Sequence, residues 1–248
     1  MIKNITKILP KTLKETLGDL KFFFSFNKSY SQCGEDLIIN FIFQHVMSEK
    51  KDITYLDIGA NHPITLSNTY YFYKKKSGGG LLIEPNPNLV KRLKKYRPND
   101  TVLNVGISPN EHSCKMKFYL CEHHVLSTFS EDEKKQYEKM GHKIIGTQDI
   151  QTLNINNILN EYGYVKNGLD LLSLDVEGFD LKILKVFDFS LVRPKIIVAE
   201  TILHRPHLEQ SKNSELIDFL ISKNYFIYAD TYINTIFVDT DYWKSIEE

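Results

Sequence analysis

Short apolar runs alternate with amphipathic segments along most of the chain, and this alternation predicts the secondary structure. Apolar, β-rich runs recur at 54–57, 81–84, 101–105, 171–175 and 196–200. Segments such as 89–96 and 181–187 carry apolar residues at helical spacing, as does 36–46 ahead of the first run. Strands that alternate with helices predict an α/β domain built on a mostly parallel, doubly wound sheet.

Two parts of the chain depart from this alternation. The β-rich runs 225–228 and 235–238 predict an antiparallel pair at the C-terminal end, unlike the all-parallel folds that bind dinucleotides. Residues 111–152 are more polar and contain the charge run 131–135. We expect them to form an insertion or lid that shapes a substrate site, although a charge run is also typical of a solvated helix face.

Composition narrows the class of protein. The 248 residues, 42% of them hydrophobic and 25% charged, suit one domain with a sizeable core. The 31 basic and 31 acidic side chains balance, which disfavours a dedicated nucleic-acid-binding protein. Three cysteines without paired spacing indicate a reducing compartment and a cytoplasmic location, with no disulfides.

The first residues of the chain have a pattern of their own. Residues 1–28 mix lysines with isoleucines and leucines, and we expect an arm or helix there, ahead of a domain at 29–248. Pro10 interrupts the helical pattern, so contact with a membrane surface is an alternative to simple docking on the domain. The apolar run 22–26 is far shorter than the roughly 20 residues that cross a bilayer, and no transmembrane segment is predicted.

Polar residues at the predicted strand ends mark the edge of the sheet where α/β proteins bind ligands. Asp57 ends the first run, and Gly59 follows it in a turn where a backbone can approach a ligand closely. The turn lacks a G-x-G-x-x-G pattern, which disfavours NAD, whereas the Asp57 carboxylate suits a cationic sulfonium. Glu84 ends the second run, where an acidic side chain can accept both hydroxyls of an adenosine ribose, with a helix N-cap as the structural alternative. Asn104 would lie beside the adenine, unless Gly106 only marks a turn.

Several short segments in this order resemble the FkbM family of methyltransferases. They are YSQCGED at 30–36, LDIGANHP at 56–63, SNT at 67–69, IEPNP at 83–87 and LDVEGFD at 174–180. The resemblance runs from about residue 29 to 240 and implies a class I, Rossmann-like methyltransferase fold with S-adenosylmethionine as the methyl donor. It also implies O-methylation of sugars, often in polysaccharide or natural-product pathways. The family motifs place the donor on Asp57, Gly59, Asn61 and Glu84, and we add Gln32, Asn104 and Asp175 to this set.

An acceptor hydroxyl becomes a useful nucleophile only when its proton is removed or its oxygen is polarised. Asp175, at the end of the fourth run, is our first choice for a catalytic residue. One hypothesis is an Mg²⁺ or Mn²⁺ ion held by Asp175 and Glu200, with His204 or His62 as a further ligand. The other is metal-free catalysis in which His62 or His204 is the general base.

For several residues near the predicted strand ends, a structural role is the alternative to a role in binding or catalysis. Glu177 and Asp180 follow Asp175, but acidic residues in a first helical turn also complement the helix dipole, and we prefer that role for Asp180. Ser127 and Thr128 in the insertion would either contact the acceptor or cap a turn.

The expected reaction is methylation of a hydroxyl on a sugar, a nucleotide-sugar or a glycan, in polysaccharide or glycoconjugate biosynthesis. Self-association is left open. A nucleotide-sugar or NAD-linked oxidoreductase on a similar sheet is one alternative, but it needs a pyrophosphate-binding glycine loop that the chain lacks. A non-catalytic methyltransferase-like module is the other, and it would be expected to lose the acidic strand ends that this chain retains.

Overall fold

A computed structural model describes residues 28–47, 52–75, 79–110, 112–203 and 211–246. The predicted N-terminal arm, apart from Lys28, and the candidate site residue His204 lie outside the described residues. Within the described ranges, no helix combines the length and the apolar character needed to cross a bilayer.

The described strands belong to three sheets. They are β1 (Tyr55–Ile58), β2 (Leu81–Ile83), β3 (Thr101–Leu103), β4 (Gly106–Ile107), β5 (Cys114–Cys121), β6 (Ile144–Leu153), β7 (Leu171–Leu174), β8 (Ile196–Glu200), β9 (Ile202–Leu203), β10 (Ser211–Lys212), β11 (Tyr225–Asp230) and β12 (Asn234–Asp239). The central sheet has the order β11-β12-β8-β7-β1-β2-β3, and its strands from β8 to β3 are parallel to one another. Strand β12 is antiparallel to both β8 and β11. The predicted mostly parallel sheet with a C-terminal antiparallel strand is therefore confirmed.

Helices cover both faces of the central sheet. They are α1 (Glu35–Phe41), α2 (Tyr70–Lys75), α3 (Pro87–Tyr96), α4 (Glu131–Lys139), α5 (Ile155–Glu161), α6 (Tyr164–Asn167), α7 (Asp180–Val186), α8 (Ser214–Ser222) and α9 (Thr240–Ser245). The predicted α-helix over 36–46 is wrong in its second half, because α1 ends at Phe41 and a π-helical turn, Ile42–Val46, follows. The wider turn closes with a hydrogen bond from Met47 N to Ile42 O of 2.8 Å, and both side chains are buried.

The hydrophobic core has two halves, one on each face of the sheet. On one face, strand residues such as Leu56, Leu172 and Ile197 pack with buried residues of α5, α7 and α8. On the other face, Leu82 and Val198 pack with buried residues of α1, α2 and α3. Each fully buried leucine or isoleucine contributes roughly 1.5–3 kcal/mol to the stability of the fold. The two halves of the core therefore hold the strands, and with them the strand ends, in position.

The residues of the predicted insertion form a layer of their own. Strands β5 and β6 pair antiparallel, α4 lies between them in the chain, and β6 also pairs with β4 in a sheet of order β4-β6-β5. Helix α4 starts where the Ser130 side chain accepts a hydrogen bond from Glu133 N at 3.2 Å. Tyr137 is its buried residue, so the charge run occupies the solvated face of a helix whose other face carries this tyrosine.

Strand β1 is displaced by one residue from its predicted limits, and this changes the position of Asp57. Because β1 runs from Tyr55 to Ile58, Asp57 lies inside the strand and points to the opposite face from Ile58. Its carboxylate accepts a hydrogen bond of 2.5 Å from Thr69 Oγ1. Thr69 in turn accepts one of 3.0 Å from the guanidinium of Arg97.

Arg97 is the cation at the centre of this buried polar group. It has no solvent exposure, and its Nε donates to Asp100 Oδ2 at 2.6 Å. Its Nη2 donates to the hydroxyl of Tyr55 at 3.2 Å, and that hydroxyl donates to Asp100 Oδ1 at 2.6 Å. One guanidinium thus neutralises two buried carboxylates, those of Asp57 and Asp100, directly beneath the strand ends.

Replacing Arg97 with methionine should lower the free energy of unfolding by about 3–5 kcal/mol, because two buried carboxylates would lose their cation. Urea denaturation followed by circular dichroism measures this change. Lys185→Met is the control, since Lys185 pairs with Glu215 at an exposed site and its loss should cost at most about 1 kcal/mol. Equal losses in the two variants would contradict the central role of Arg97.

Candidate functional site

A cavity of about 280 Å³ lies at the carboxyl ends of β1, β2, β7 and β8, beneath the insertion. Its wall is partly apolar, with residues from the strands, the insertion and α7. The polar side chains that line it are those of Gln32, Asn61, Glu84, His124, Ser127, Asp175, Glu177 and Glu200. Ligands bind at this edge of open α/β sheets, and the cavity therefore lies where the strand-end analysis predicts a site.

Glu84 is the first residue after β2 and is held rigidly at the cavity wall. Its Oε1 accepts a hydrogen bond from Asn86 N at 2.7 Å, and its Oε2 accepts one from Asn61 N at 2.9 Å. Burial raises the pKa of Glu84 to about 7, against the effect of these two donors, which favour the ionised form. The N-cap of α3 is Asn86, whose side chain accepts from Asn88 N, so Glu84 is not used as the helix cap. Each of its oxygens keeps a free lone pair for a ligand.

The turn after β1 places the backbone of Gly59 and the side chain of Asn61 at the cavity wall. Gly59 has a φ of +85°, and a Cβ there would collide with the carbonyl of Asp175. Asn61 has a φ of +46°. Its Oδ1 is buried and accepts no hydrogen bond from the described residues. A buried acceptor without a partner is costly, so this atom suits the N–H or O–H group of a ligand.

Three other predicted donor-binding residues have different positions. Gln32 is exposed and lines the cavity. Asp57 does not line it, because its carboxylate lies on the other face of the sheet with Thr69. Asn104 does not line it either, since its Nδ2 donates to the carbonyls of Glu84 at 3.0 Å and Pro85 at 2.8 Å. Asp57 and Asn104 therefore support the walls of the cavity from behind.

Three carboxylates meet at the ends of β7 and β8. Asp175 follows β7, Glu177 lies two residues further on, and Glu200 ends β8. One carboxylate oxygen from each lies within 4.8 Å of the other two. Burial, and then the charge of Glu200, raises the pKa of both Asp175 and Glu177 well above the usual range. We call these three residues the acidic group. The structure thus brings together Asp175 and Glu200, as predicted.

Asp180 begins α7 beside the acidic group and is buried. Its Oδ1 accepts a hydrogen bond from Val176 N at 3.2 Å. Burial, followed by the charge of Glu200, raises the pKa of Asp180 to about 7. This residue holds the turn between β7 and α7 and does not line the cavity.

The insertion holds the acidic group from above, which the sequence analysis did not detect. The hydroxyl of Tyr137 donates to Glu177 Oε2, and Thr128 Oγ1 donates to the Glu177 carbonyl at 2.7 Å. Burial, and then the Glu177 charge, raises the pKa of Tyr137, which keeps the phenol a neutral donor. Phe129 packs on Phe118 with ring centroids 4.7 Å apart and closes the apolar side of the cavity. The two contacts to Glu177 join residues 40 and 49 positions apart, which no local sequence motif indicates.

Of the two predicted histidines, His62 is not part of the acidic group. It does not line the cavity, and its Nδ1 accepts from Thr65 N at 3.0 Å. The other predicted histidine, His204, lies outside the described residues, so its role stays a prediction. His124, which was not predicted, does line the cavity. Among the described residues, the third ligand candidate beside Asp175 and Glu200 is Glu177.

Comparison with known families identifies the chain. The model of the methyltransferase FkbM domain matches residues 57–227, well over half of the sequence. The chain belongs to the FkbM methyltransferase family. Membership favours a methyltransferase over the oxidoreductase alternative. None of the curated proteins matches the chain.

Several solved methyltransferases are similar to this FkbM chain. Methyltransferase FkbM from Methylobacillus flagellatus KT is 16% identical, with a TM-score of 0.46 over 79% of this chain and 46% of that one. A TehB-like SAM-dependent methyltransferase from Corynebacterium glutamicum is 10% identical, with a TM-score of 0.42 over 92% and 97%. The O-methyltransferase from Bacillus cereus, in complex with SAH, is 10% identical, with a TM-score of 0.38 over 95% and 96%. The chain spans less than half the length of the Methylobacillus protein.

The stability of the FkbM domain should depend on pH through Asp180. Its folded-state pKa of about 7 lies above the ordinary value of 3.8, so its stabilising contribution is full below pH 3.8 and is lost as the pH rises through 7. The free energy of unfolding of Asp180→Asn, taken relative to wild type, should therefore increase by at least about 1 kcal/mol from pH 5 to pH 8. One pKa unit corresponds to about 1.4 kcal/mol. Urea denaturation in chelator-containing buffer measures this difference.

Asp218→Asn is the matched control for this prediction. Asp218 lies on α8 and is exposed to solvent. Its substitution should change stability by the same small amount at both pH values. A pH-independent difference for Asp180→Asn as well would show that Asp180 is ionised at no cost to the fold.

Proposed function

We propose that this FkbM chain transfers a methyl group from S-adenosylmethionine to a hydroxyl of a sugar or sugar-derived acceptor. The observation that carries this proposal is the arrangement of two polar regions in one cavity. Glu84 and Asn61 line one region, and the acidic group lies in the other. The first suits a ligand with ribose hydroxyls and N–H groups, and the second suits activation of an acceptor hydroxyl.

The donor side is built from Glu84, Asn61 and Gly59. The free lone pairs of Glu84 would accept the ribose hydroxyls, and Asn61 Oδ1 would accept from an N–H or O–H of the donor. Gly59, which lacks a Cβ, lets the donor lie against the backbone between β1 and β7. S-adenosylmethionine supplies a methyl group that is electrophilic because it is bound to a positively charged sulfur.

The acidic group would activate the acceptor in one of two ways. Asp175 is the candidate general base, since a carboxylate whose pKa is raised takes a proton more readily. The hydroxyl proton would pass to Asp175 while the acceptor oxygen forms its bond to the methyl carbon. Alternatively, Asp175, Glu177 and Glu200 would hold Mg²⁺ or Mn²⁺, for which carboxylate oxygens are preferred ligands. The ion would then lower the pKa of a bound hydroxyl.

A sugar-type acceptor is supported by the family resemblance and by the polarity of the acidic group. Carboxyl groups with raised pKa values both accept and donate hydrogen bonds near neutral pH, as recognition of several hydroxyls requires. A role in polysaccharide or glycoconjugate biosynthesis follows as part of the proposal. The free thiols of Cys33, Cys114 and Cys121 support a reducing, cytoplasmic setting.

Glu84→Ala should weaken binding of S-adenosylhomocysteine about tenfold to a hundredfold, because hydrogen bonds to a charged acceptor contribute roughly 1.5–3 kcal/mol. Isothermal titration calorimetry gives the dissociation constant. Glu215→Ala is the matched control, since that residue is exposed on α8 and does not line the cavity. If the Glu84 variant binds as tightly as wild type, Glu84 is not the ribose ligand.

Chelation separates the two ways of activating the acceptor. With an acceptor found by screening sugars, nucleotide-sugars and glycans, EDTA should lower turnover at least about a hundredfold if a cation is required, and Mn²⁺ should restore it. Affinity for S-adenosylhomocysteine should stay unchanged, because the cation would contact only the acceptor. Glu200→Gln should abolish the rescue by Mn²⁺, while Asp175→Asn should be inactive under either mechanism. Full activity of protein shown to be metal-free by elemental analysis would establish the base mechanism.

A further inference from the structure

In the loop after β1, two hydrogen-bond donors face each other at an exposed position. His62 lies in the loop after β1, and its Nδ1 is 3.2 Å from Ile64 N and 3.0 Å from Thr65 N. A backbone N–H can only donate, so Nδ1 must present its lone pair. In a neutral imidazole the proton then resides on Nε2.

The protonated nitrogen of His62 meets a second donor. Nε2 lies 2.7 Å from Nη2 of Arg92, which projects from α3, and a guanidinium has no acceptor. Moving the ring proton to Nδ1 would relieve this contact and give Nδ1–H the Thr65 hydroxyl at 2.9 Å as an acceptor, but would set it against two backbone N–H groups. Burial, and then the Arg92 charge, lowers the pKa of His62, so the ring stays neutral. An acceptor shared by Nε2 and Nη2 would remove the opposition between them.

His124 brings a third donor to the same place from the insertion. It begins the short 3₁₀ turn His124–Leu126 and lines the cavity. Partial burial, and then the Arg92 charge, lowers the pKa of His124, so the ring lies within electrostatic reach of that guanidinium. Among the residues that the structure describes, no carboxylate forms an ion pair with Arg92. Three side chains from three segments therefore lie near one another, and one of them, His124, lines the cavity.

We propose that His62, Arg92 and His124 bind a phosphoryl group of the acceptor, an inference that rests on the proposed function. An oxyanion accepts hydrogen bonds from His62 Nε2–H and Arg92 Nη2–H at once, which removes the opposition between them. A phosphoryl group offers three oxygens to three donors. The acidic group in the cavity wall repels the same anion. The acceptor would therefore bind with its phosphoryl group at these three side chains and its hydroxyl toward Asp175.

Binding of inorganic pyrophosphate tests the three-donor site without an identified acceptor. Titration calorimetry of the full chain, saturated with S-adenosylhomocysteine, should show binding by wild type. Arg92→Met should weaken it at least about tenfold, because charge-assisted hydrogen bonds are the strong ones. Lys91→Met is the matched control, since Lys91 is the exposed preceding residue of α3 and should leave affinity within about twofold. Failure of wild type to bind pyrophosphate at millimolar concentration would overturn the proposal.

The carboxylate of the methyl donor is a second anion that would suit His62, Arg92 and His124. If Arg92→Met weakens S-adenosylhomocysteine binding tenfold and leaves pyrophosphate binding unchanged, the site belongs to the donor and the acceptor proposal fails. Loss of pyrophosphate binding with unchanged donor affinity supports the proposal. In both cases the proposed methyl transfer is tested separately by Glu84→Ala.

The tautomer of His62 can be measured directly. A purely structural role for Arg92 would not affect the response of His62 to pyrophosphate. Nitrogen-15 NMR of labelled histidine, assigned with His62→Gln, should show the Nε2–H form in wild type. Pyrophosphate should shift the Nε2 resonance in wild type and leave it in place in Arg92→Met. An Nδ1–H tautomer would overturn the geometric argument.

Discussion

Burial of several carboxylates at one edge of the sheet is the constraint on which the rest of the structure depends. Each carboxylate near this edge is stabilised in its own way. Glu84 receives two backbone N–H groups, and Asp57 is linked through a threonine to the buried guanidinium of Arg97. The charges that act on Asp175 are those of other carboxylates. Because a buried charge costs several kcal/mol, the raised pKa values of Asp175 and Glu177 favour uptake of a proton or a cation there.

The insertion and the acidic group depend on each other. Glu177 adopts a φ of +51° and Gly178 one of +93°, a left-handed path that a glutamate enters only at a cost of about 1–3 kcal/mol. Thr128 holds the Glu177 carbonyl, and Tyr137 holds its carboxylate. The insertion, which contributes Phe118 and Phe129 to the cavity wall, therefore also orients one of the cavity's acids. Enclosure of a ligand and placement of that carboxylate depend on the same insertion.

The sequence was sufficient to predict the seven strands of the central sheet, because their apolar side chains must be buried. It also placed Glu84, Asp175 and Glu200 at strand ends, which meet at one edge in any parallel sheet. It misplaced the carboxylate of Asp57, because side chains alternate between faces and an error of one residue in the strand end turns the carboxylate away from the cavity. It missed Tyr137, whose role arises from packing between distant segments and leaves no trace in local spacing.

The charge distribution of the cavity gives a physical reason why an acceptor would bind in one direction. The acidic group lines one part of the cavity, while His124 lines another and lies within electrostatic reach of Arg92. A neutral sugar would experience little orienting force between these two regions, since a hydroxyl can bond with either. An acceptor with an anion at one end would be attracted by Arg92 and repelled by the acidic group, and both effects favour the same orientation. Repulsion between the acceptor's anion and the acidic group therefore disfavours the reversed orientation. Selectivity for one orientation would come from this repulsion as much as from attraction.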